Sequence, residues 1–212
     1  MMTKVKICGL SREEDILAVN RWKPDYIGFV FAPSRRRVTF EKARYLKSFL
    51  NPEITAVGVF VDEPLYYVIS LVLDGIVDAV QLHGDEDASY IENLKQKVSC
   101  PVIKAVRVKS KEQILDAEKL PCDMLLLDSY QEDTLGGSGK SFDYSLIPSL
   151  NKPFFLAGGL NASNIQKAII TCSPYGVDIS SGVETDGLKD EQKIREIIET
   201  ISSFRNEREA GK

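Results

Sequence analysis

The chain has 212 residues, 43% of them hydrophobic and 27% charged, with a formal net charge of −4. That is an ordinary balance for one globular domain, and the acidic excess disfavours nucleic acid as a partner, because phosphate-backbone binding needs a basic surface. The opening "MMTKVKICGLSREED" turns polar too early for a signal peptide and no apolar run reaches the length of a membrane span, so a cytoplasmic protein with no membrane partner is expected. Cys8, Cys100, Cys122 and Cys172 form no C-x-x-C pair, and the single histidine, His83, is distant from all of them in sequence. These spacings disfavour a zinc site or a disulfide framework.

Along the chain, short runs rich in Val, Ile and Phe alternate with amphipathic stretches of helical length. The runs are "KVKIC" (4–8), "YIGFVF" (26–31), "TAVGVFV" (55–61), "DAVQLH" (78–83), "PVIKAVRV" (101–108), "DMLLLDS" (123–129), "PFFLAGG" (153–159) and "GVDISSG" (176–182). Most are nearly continuous in hydrophobic residues, as strands covered on both faces are.

A helix signal follows each run. Ser11 with Glu14 reads as a capping box for the first helix. Thr39, Pro64, Asp85 or Asp87, and Ser110 open the next four. Asp143 opens "DYSLIPSL", shortened or bent by Pro148, Ser163 opens "SNIQKAIITC", and "KDEQKIREIIETISSF" comes last. Eight such units predict an α/β fold, a single (β/α)8 TIM barrel with minimal decoration over residues 1–204 and a charged, frayed tail over 205–212. An open doubly wound sheet is the alternative, but no G-x-G-x-x-G follows a strand to support it.

Active sites of such barrels lie at the C-terminal ends of the strands. "AGGLNASN" after the seventh strand and "SSGVETDG" after the eighth bring Gly158, Gly159, Ser180, Ser181 and Gly182 to adjacent turns. Backbone N–H groups there can converge on one anion, which makes this corner a candidate phosphate site; two ordinary tight turns are the alternative. Cys8 and Asp128, on strands nearly across the mouth from each other, make a candidate acid–base pair. The competing readings are a small buried hydrophobe for Cys8 and a loop hydrogen bond for Asp128.

Lys6 shares strand parity with Cys8. Pointing inward it needs a carboxylate, and Asp178 on the eighth strand is the candidate; a cation below Cys8 would favour its thiolate. In "SRRRV" one of Arg35, Arg36 and Arg37 can turn inward as a fork for a carboxylate. Gln81 and His83 end the fourth strand, and histidine at such a position is more often a structural hydrogen-bonder than a catalyst.

"KICGL", "GFVFAPSRRRV", "VGVFVDEP", "VQLHGDE", "LLLDS" followed by "GGSGKSFD", "FFLAGGLNASN" and "GVDISSGVE" occur in this order from about residue 4 to residue 190. Together they resemble the phosphoribosylanthranilate isomerase family of tryptophan biosynthesis. The resemblance implies an Amadori rearrangement of a phosphosugar without metal or organic cofactor. It makes Cys8 the general base and Asp128 the general acid. It also places the arginine for the anthranilate carboxylate in "SRRRV", assigned to Arg36 with Arg35 and Arg37 as neighbouring registers. Gln81, His83, Lys6 and Asp178 are supporting residues in this reading, and the protein is a monomer or a homodimer.

The nearest rival is the related isomerase of histidine biosynthesis, which resembles this chain in its sixth-strand carboxylate but carries aspartate where this chain has Cys8. A phosphosugar-binding barrel without chemistry is a second rival, and a thiol-redox or zinc protein is a third.

Overall fold

The computed structural model describes residues 3–129 and 143–210 of the chain, with side chains described as far as residue 204. Strands β1 (Lys4–Cys8), β2 (Tyr26–Val30), β3 (Thr55–Phe60), β4 (Ala79–Leu82), β5 (Val102–Val108), β6 (Met124–Ser129), β7 (Phe154–Leu156) and β8 (Gly176–Ile179) form a closed barrel in sequence order. Every barrel pairing is parallel, and β8 returns to β1 with Lys6 opposite Asp178. The predicted closed ring is therefore present, and the open sheet is not.

Helices α1 (Glu13–Trp22), α2 (Phe40–Lys47), α3 (Leu65–Leu73), α4 (Ala88–Lys95), α5 (Lys111–Glu118), α6 (Ile165–Cys172) and α7 (Glu191–Ala210) connect and cover the strands. Thr39, Asp87 and Ser110 accept hydrogen bonds from backbone N–H groups three residues on, satisfying donors that an N-terminal turn otherwise leaves open.

Two expected starts are displaced. Arg12, not Ser11, precedes the first helix, because the buried Asp15 carboxylate accepts from the N–H groups of both Ser11 and Arg12. Asn164, not Ser163, precedes α6, because Asn161 and Asn164 fold "NASN" into a turn of its own in which Asn161 Oδ1 accepts from Ser163.

"DYSLIPSL" forms a single 3-10 turn, Tyr144–Leu146, rather than a helix. Asp143 caps it, and Ile147 is already extended, as a residue before proline prefers to be. Most of "GGSGKSFD" lies outside the described residues. Helix α7 runs as far as Ala210, into the segment expected to be a tail. Among the described residues no helix is long and apolar enough to cross a membrane.

One decoration was not foreseen. Strands β9 (Glu184–Thr185) and β10 (Leu188–Lys189) form a small antiparallel hairpin directly after β8. Its turn residues Asp186 and Gly187 both have positive φ, 51° and 80°, the conformation that an Asp-Gly hairpin turn requires. The pairing sets Lys189 opposite Glu184.

Period-two alternation divides the strand residues between two cores. Outward residues such as Ile7, Val80, Leu127 and Ile179 join the layer under the helices, while Val57, Ala79, Ile103, Met124, Leu126 and Phe155 pack inside the ring. Phe155 is fully buried there, edge-on to Tyr26 and Tyr175 at ring-centroid distances of 5.3 and 5.4 Å. Phe155→Ala should leave a cavity that neighbouring strands cannot close, costing about 3–5 kcal/mol. Urea denaturation checks this; a loss under about 1 kcal/mol would mean that the interior relaxes around the gap.

Candidate active site

Cys8 ends β1 with its side chain inside the ring. Gly28 is its register partner on β2, and a Cβ at that position would come within 2.6 Å of the Cys8 sulfur. The sulfur thus occupies room that only glycine leaves. Lys6, one inward step below, has no solvent exposure, and its Nζ lies 3.0 Å from Asp178 Oδ1. The strand parity of the sequence and this ion pair agree.

The Cys8 thiol is pushed up from its ordinary value of 9.0, chiefly by burial; Lys6 pulls it down, Asp178 adds to the rise, and Lys189 pulls it down. A cation below Cys8 does favour its thiolate, as expected, but it does not decide the outcome. Lys6 acts in the expected direction, but desolvation outweighs it. Burial also pulls the Lys6 ammonium down, yet Asp178 and Cys8 more than offset it, so Lys6 is raised above 10.5.

Asp128 stands on the inward face near the end of β6, where its Oδ1 accepts from the Ser129 N–H at 2.8 Å. Its Oδ2 faces His83 Nε2 at 3.5 Å. Gln81 Nε2 lies 2.9 Å from His83 Nδ1. With the amide donating to Nδ1, the ring carries its proton on Nε2, towards Asp128. The turn that carries His83 is braced by Glu86, whose carboxylate accepts from the N–H groups of Asp62 and Gly84 and pairs with the buried Lys104 at 2.8 Å. Neither Glu86 nor Lys104 was singled out in the sequence.

The two glycine turns meet. Gly158 and Gly159 have φ of 89° and 64°. A Cβ on Gly182 would fall 1.9 Å from the Leu160 carbonyl oxygen, so the turns after β7 and β8 touch as backbone. Ser181 begins a three-residue 3-10 turn. The Ser180 hydroxyl donates to the Cys8 carbonyl at 3.1 Å, so that side chain braces β1.

The three arginines separate. Arg37 Nε donates to the Phe31 carbonyl and Arg35 is more than half exposed. Arg36 is the one that turns inward: its side-chain stem crosses Gly9, where a Cβ would meet it at 2.4 Å, and its guanidinium interacts electrostatically with Cys8. It is held by Glu184, through Nε to Oε1 at 2.7 Å and Nη2 to Oε2 at 2.9 Å. Lys189 donates to Glu184 Oε1 at 2.7 Å and to the Ser180 carbonyl at 2.9 Å.

The sequence reading missed Glu184 and Lys189. Their signal was present in "VETDGLKD", where an Asp-Gly turn between short flanks brings a Glu and a Lys face to face. Among the described residues no group of three or more His, Cys, Asp or Glu side chains is arranged to hold a metal ion. A cavity of about 520 Å³ at the opposite end of the strands, lined in part by Cys100, Pro101, Met124 and Tyr175, contains none of the site residues.

The model of the family described as N-(5'phosphoribosyl)anthranilate (PRA) isomerase matches residues 5–200. The chain belongs to this family.

A PRA isomerase of Endomicrobium trichonymphae is 48% identical over 203 residues, covering 96% of this chain and 100% of the relative. One of Acetivibrio thermocellus is 48% identical over 206 residues, covering 93% and 94%. Among solved structures, the PRA isomerase of Thermotoga maritima superposes with a TM-score of 0.85 at 36% identity, covering 95% of this chain and 100% of that one. A PRA isomerase in complex with reduced 1-(o-carboxyphenylamino)-1-deoxyribulose 5-phosphate superposes with a TM-score of 0.81 at 33% identity, with the same coverage.

The raised Cys8 and Lys6 carry a pH dependence. In each case the folded state holds its proton more tightly than the unfolded chain, so stability falls as pH rises past the unfolded value, from about 9 for Cys8. Unfolding free energy from urea titrations should be level between pH 7 and 8.5 and decline above pH 9, less steeply in Cys8→Ala. Identical slopes for the two proteins would show that the thiol is not held protonated.

Proposed function

We propose that this chain isomerises N-(5-phosphoribosyl)anthranilate to 1-(2-carboxyphenylamino)-1-deoxyribulose 5-phosphate, the Amadori step of tryptophan biosynthesis, by general acid–base catalysis without a cofactor. The observation that carries the assignment of roles is the inward placement of Cys8 and Asp128 on strands β1 and β6, nearly across one barrel mouth from each other.

The substrate has an anion at each end. Its phosphate goes to the corner where the turns of Gly158, Gly159, Ser180, Ser181 and Gly182 meet as backbone. Its carboxylate goes to Arg36, the inward member of the three arginines. Held at both ends, the sugar spans the space between sulfur and carboxyl, and that fixed geometry removes much of the entropic cost of reaction.

Asp128 in its protonated form donates to the ribose ring oxygen, the C1′–O bond breaks, and the nitrogen lone pair forms the iminium. Cys8 as thiolate then takes the C2′ proton and leaves an enolamine. The enol oxygen gives up its proton, C1′ gains one, and the ketone results. Lys6 and Lys189 act on Cys8 by holding down the proton affinity that burial raises. His83 with Gln81 orients the Asp128 carboxyl.

The rival isomerase of histidine biosynthesis needs a second phosphate corner, and the turn after β4 is filled instead by the Glu86–Lys104 pair. The barrel over residues 1–204 is the catalytic domain in this reading, and the enzyme works in the cytoplasm on a small phosphosugar, with no nucleic-acid or membrane partner. A homodimer is one of its two possible forms, since a Thermotoga maritima relative is described as dimeric and was converted to monomers; a monomer is the other.

Turnover followed by the change in anthranilate fluorescence tests the roles. Cys8→Ala and Asp128→Asn should each keep the fold by circular dichroism and lose at least ~10²–10⁴-fold in kcat. A kcat near that of the unaltered protein in either variant would remove that residue from the mechanism.

A further inference from the structure

Glu184 neither gives nor takes a proton in the chemistry above, yet it lies at the centre of the site's cations. Its side chain is about 5% exposed and meets Arg35, Arg36 and Lys189 at 2.6, 2.7 and 2.7 Å. One anion among three cations leaves an excess of positive charge, which suits a substrate anionic at both ends. The arrangement also links the two ends: through Arg36 it reaches the place assigned to the carboxylate, and through Lys189 it reaches the Ser180 carbonyl in the turn assigned to the phosphate.

The geometry at Arg36 is more specific than charge alone. A guanidinium has five N–H donors in a rigid plane. Glu184 takes Nε–H and one Nη2–H, the lateral edge of that plane. Among the described residues, no other hydrogen bond engages the Arg36 side chain. The edge formed by Nη1 and the remaining Nη2–H keeps the donor spacing that fits a second carboxylate. With one edge fixed and the stem lying across Gly9, the plane has little freedom to rotate.

We propose that Glu184 is a positioning residue for substrate recognition. It fixes the Arg36 guanidinium by its Nε–Nη2 edge, so that the Nη1 edge is presented to the ring carboxylate, and it holds Lys189 at the phosphate turn. The inference rests on the functional reading above. Its effect is therefore on which ligand binds, more than on proton transfer.

Calorimetric titration with two probes tests it: reduced 1-(o-carboxyphenylamino)-1-deoxyribulose 5-phosphate, and the same compound made with aniline, which lacks only the carboxylate. Glu184→Gln is nearly isosteric, but its amide N–H₂ opposes one guanidinium donor and breaks the two-point fork. Removing the negative charge strengthens attraction for any phosphate, and the two probes share that gain, so the ratio of their affinities isolates the carboxylate.

The carboxylated probe should lose roughly tenfold in affinity, the scale of one charge-assisted hydrogen bond, relative to the aniline probe. Arg36→Lys, which keeps the charge but cannot be gripped on one edge while offering another, should show the same selective loss, and it carries the test if Glu184→Gln does not fold. In kinetics KM should rise more than kcat falls.

Equal losses for both probes, or none for either, would overturn the inference while leaving the functional reading intact. So would Arg36→Lys protein that binds the carboxylated probe as tightly as the unaltered chain. Unaltered protein that binds neither probe would overturn the functional reading, and this inference with it.

Discussion

Lys6 is wholly buried inside the ring of strands, and an ammonium there is tolerable only because Asp178 stands 3.0 Å away on the adjacent strand. Stripping either ion of water costs several kcal/mol, and removing one partner leaves that cost uncompensated. The pair spans the seam where the last strand meets the first, in the same register that joins Val5 to Val177 and Ile7 to Ile179. The charge pairing and the barrel closure thus require the same alignment. A slip of β1 by one residue would turn Lys6 and Cys8 towards the helices and Ile7 into the ring, leaving Asp178 without its partner. The position of the Cys8 sulfur follows from that alignment, since Cys8 is the next inward residue after Lys6.

The polar residues are graded along the barrel axis. Deeper inward positions carry Val57, Ala79, Ile103, Leu126 and Phe155, which fill the ring without needing partners. Above them come Lys6, Gln81 and Asp178, buried but for the most part paired. At the rim are His83, Asp128 and Arg36. Gln81 has one side-chain atom, Oε1, buried without a partner, while its amide nitrogen meets His83. Its polarity therefore serves the histidine above it more than the core around it. The same economy appears in the small hairpin of β9 and β10, which adds no hydrophobic core but turns Lys189 back onto Glu184.

The fold was legible because the strands of a covered parallel sheet are continuous apolar runs, and this chain has eight, separated by capped helices. Strand parity revealed Lys6 and its partner for the same reason. Helix starts were legible where a short polar side chain caps its own turn, as at Thr39 and Ser110, and narrowed to Asp85 or Asp87 before α4, where Asp87 is the cap. They were misread where a carboxylate inside the helix, Asp15, reached back to two N–H groups, or where Asn161 and Asn164 built a separate turn. Glu184 and Lys189 escaped notice because "VETDGLKD" has the composition of a solvated loop, and burial of its charges follows from where the hairpin lands. The choice among three consecutive arginines was likewise set by a partner some 148 residues away in sequence. No local pattern encodes such a pairing.

The protonation of Cys8 shows how these parts combine. A thiol in a dry site is a scarce thiolate, but the thiolate that does form is a stronger base than an exposed one. Proton abstraction is most efficient when basicity and population are balanced near the working pH. Burial and Asp178 push towards scarcity and strength, while Lys6 below and Lys189 beside push towards population. Lys6 is itself restrained by Asp178, and Lys189 by Glu184. Each cation near the sulfur is thus tied to a carboxylate that limits its pull, so burial has the largest influence on the proton affinity of Cys8 and two ion pairs, not either lysine alone, set how far it is offset. Glu184 enters that balance from the same position at which it grips Arg36. One carboxylate thus meets both Arg36, which lies near the sulfur, and Lys189, which lowers its proton affinity.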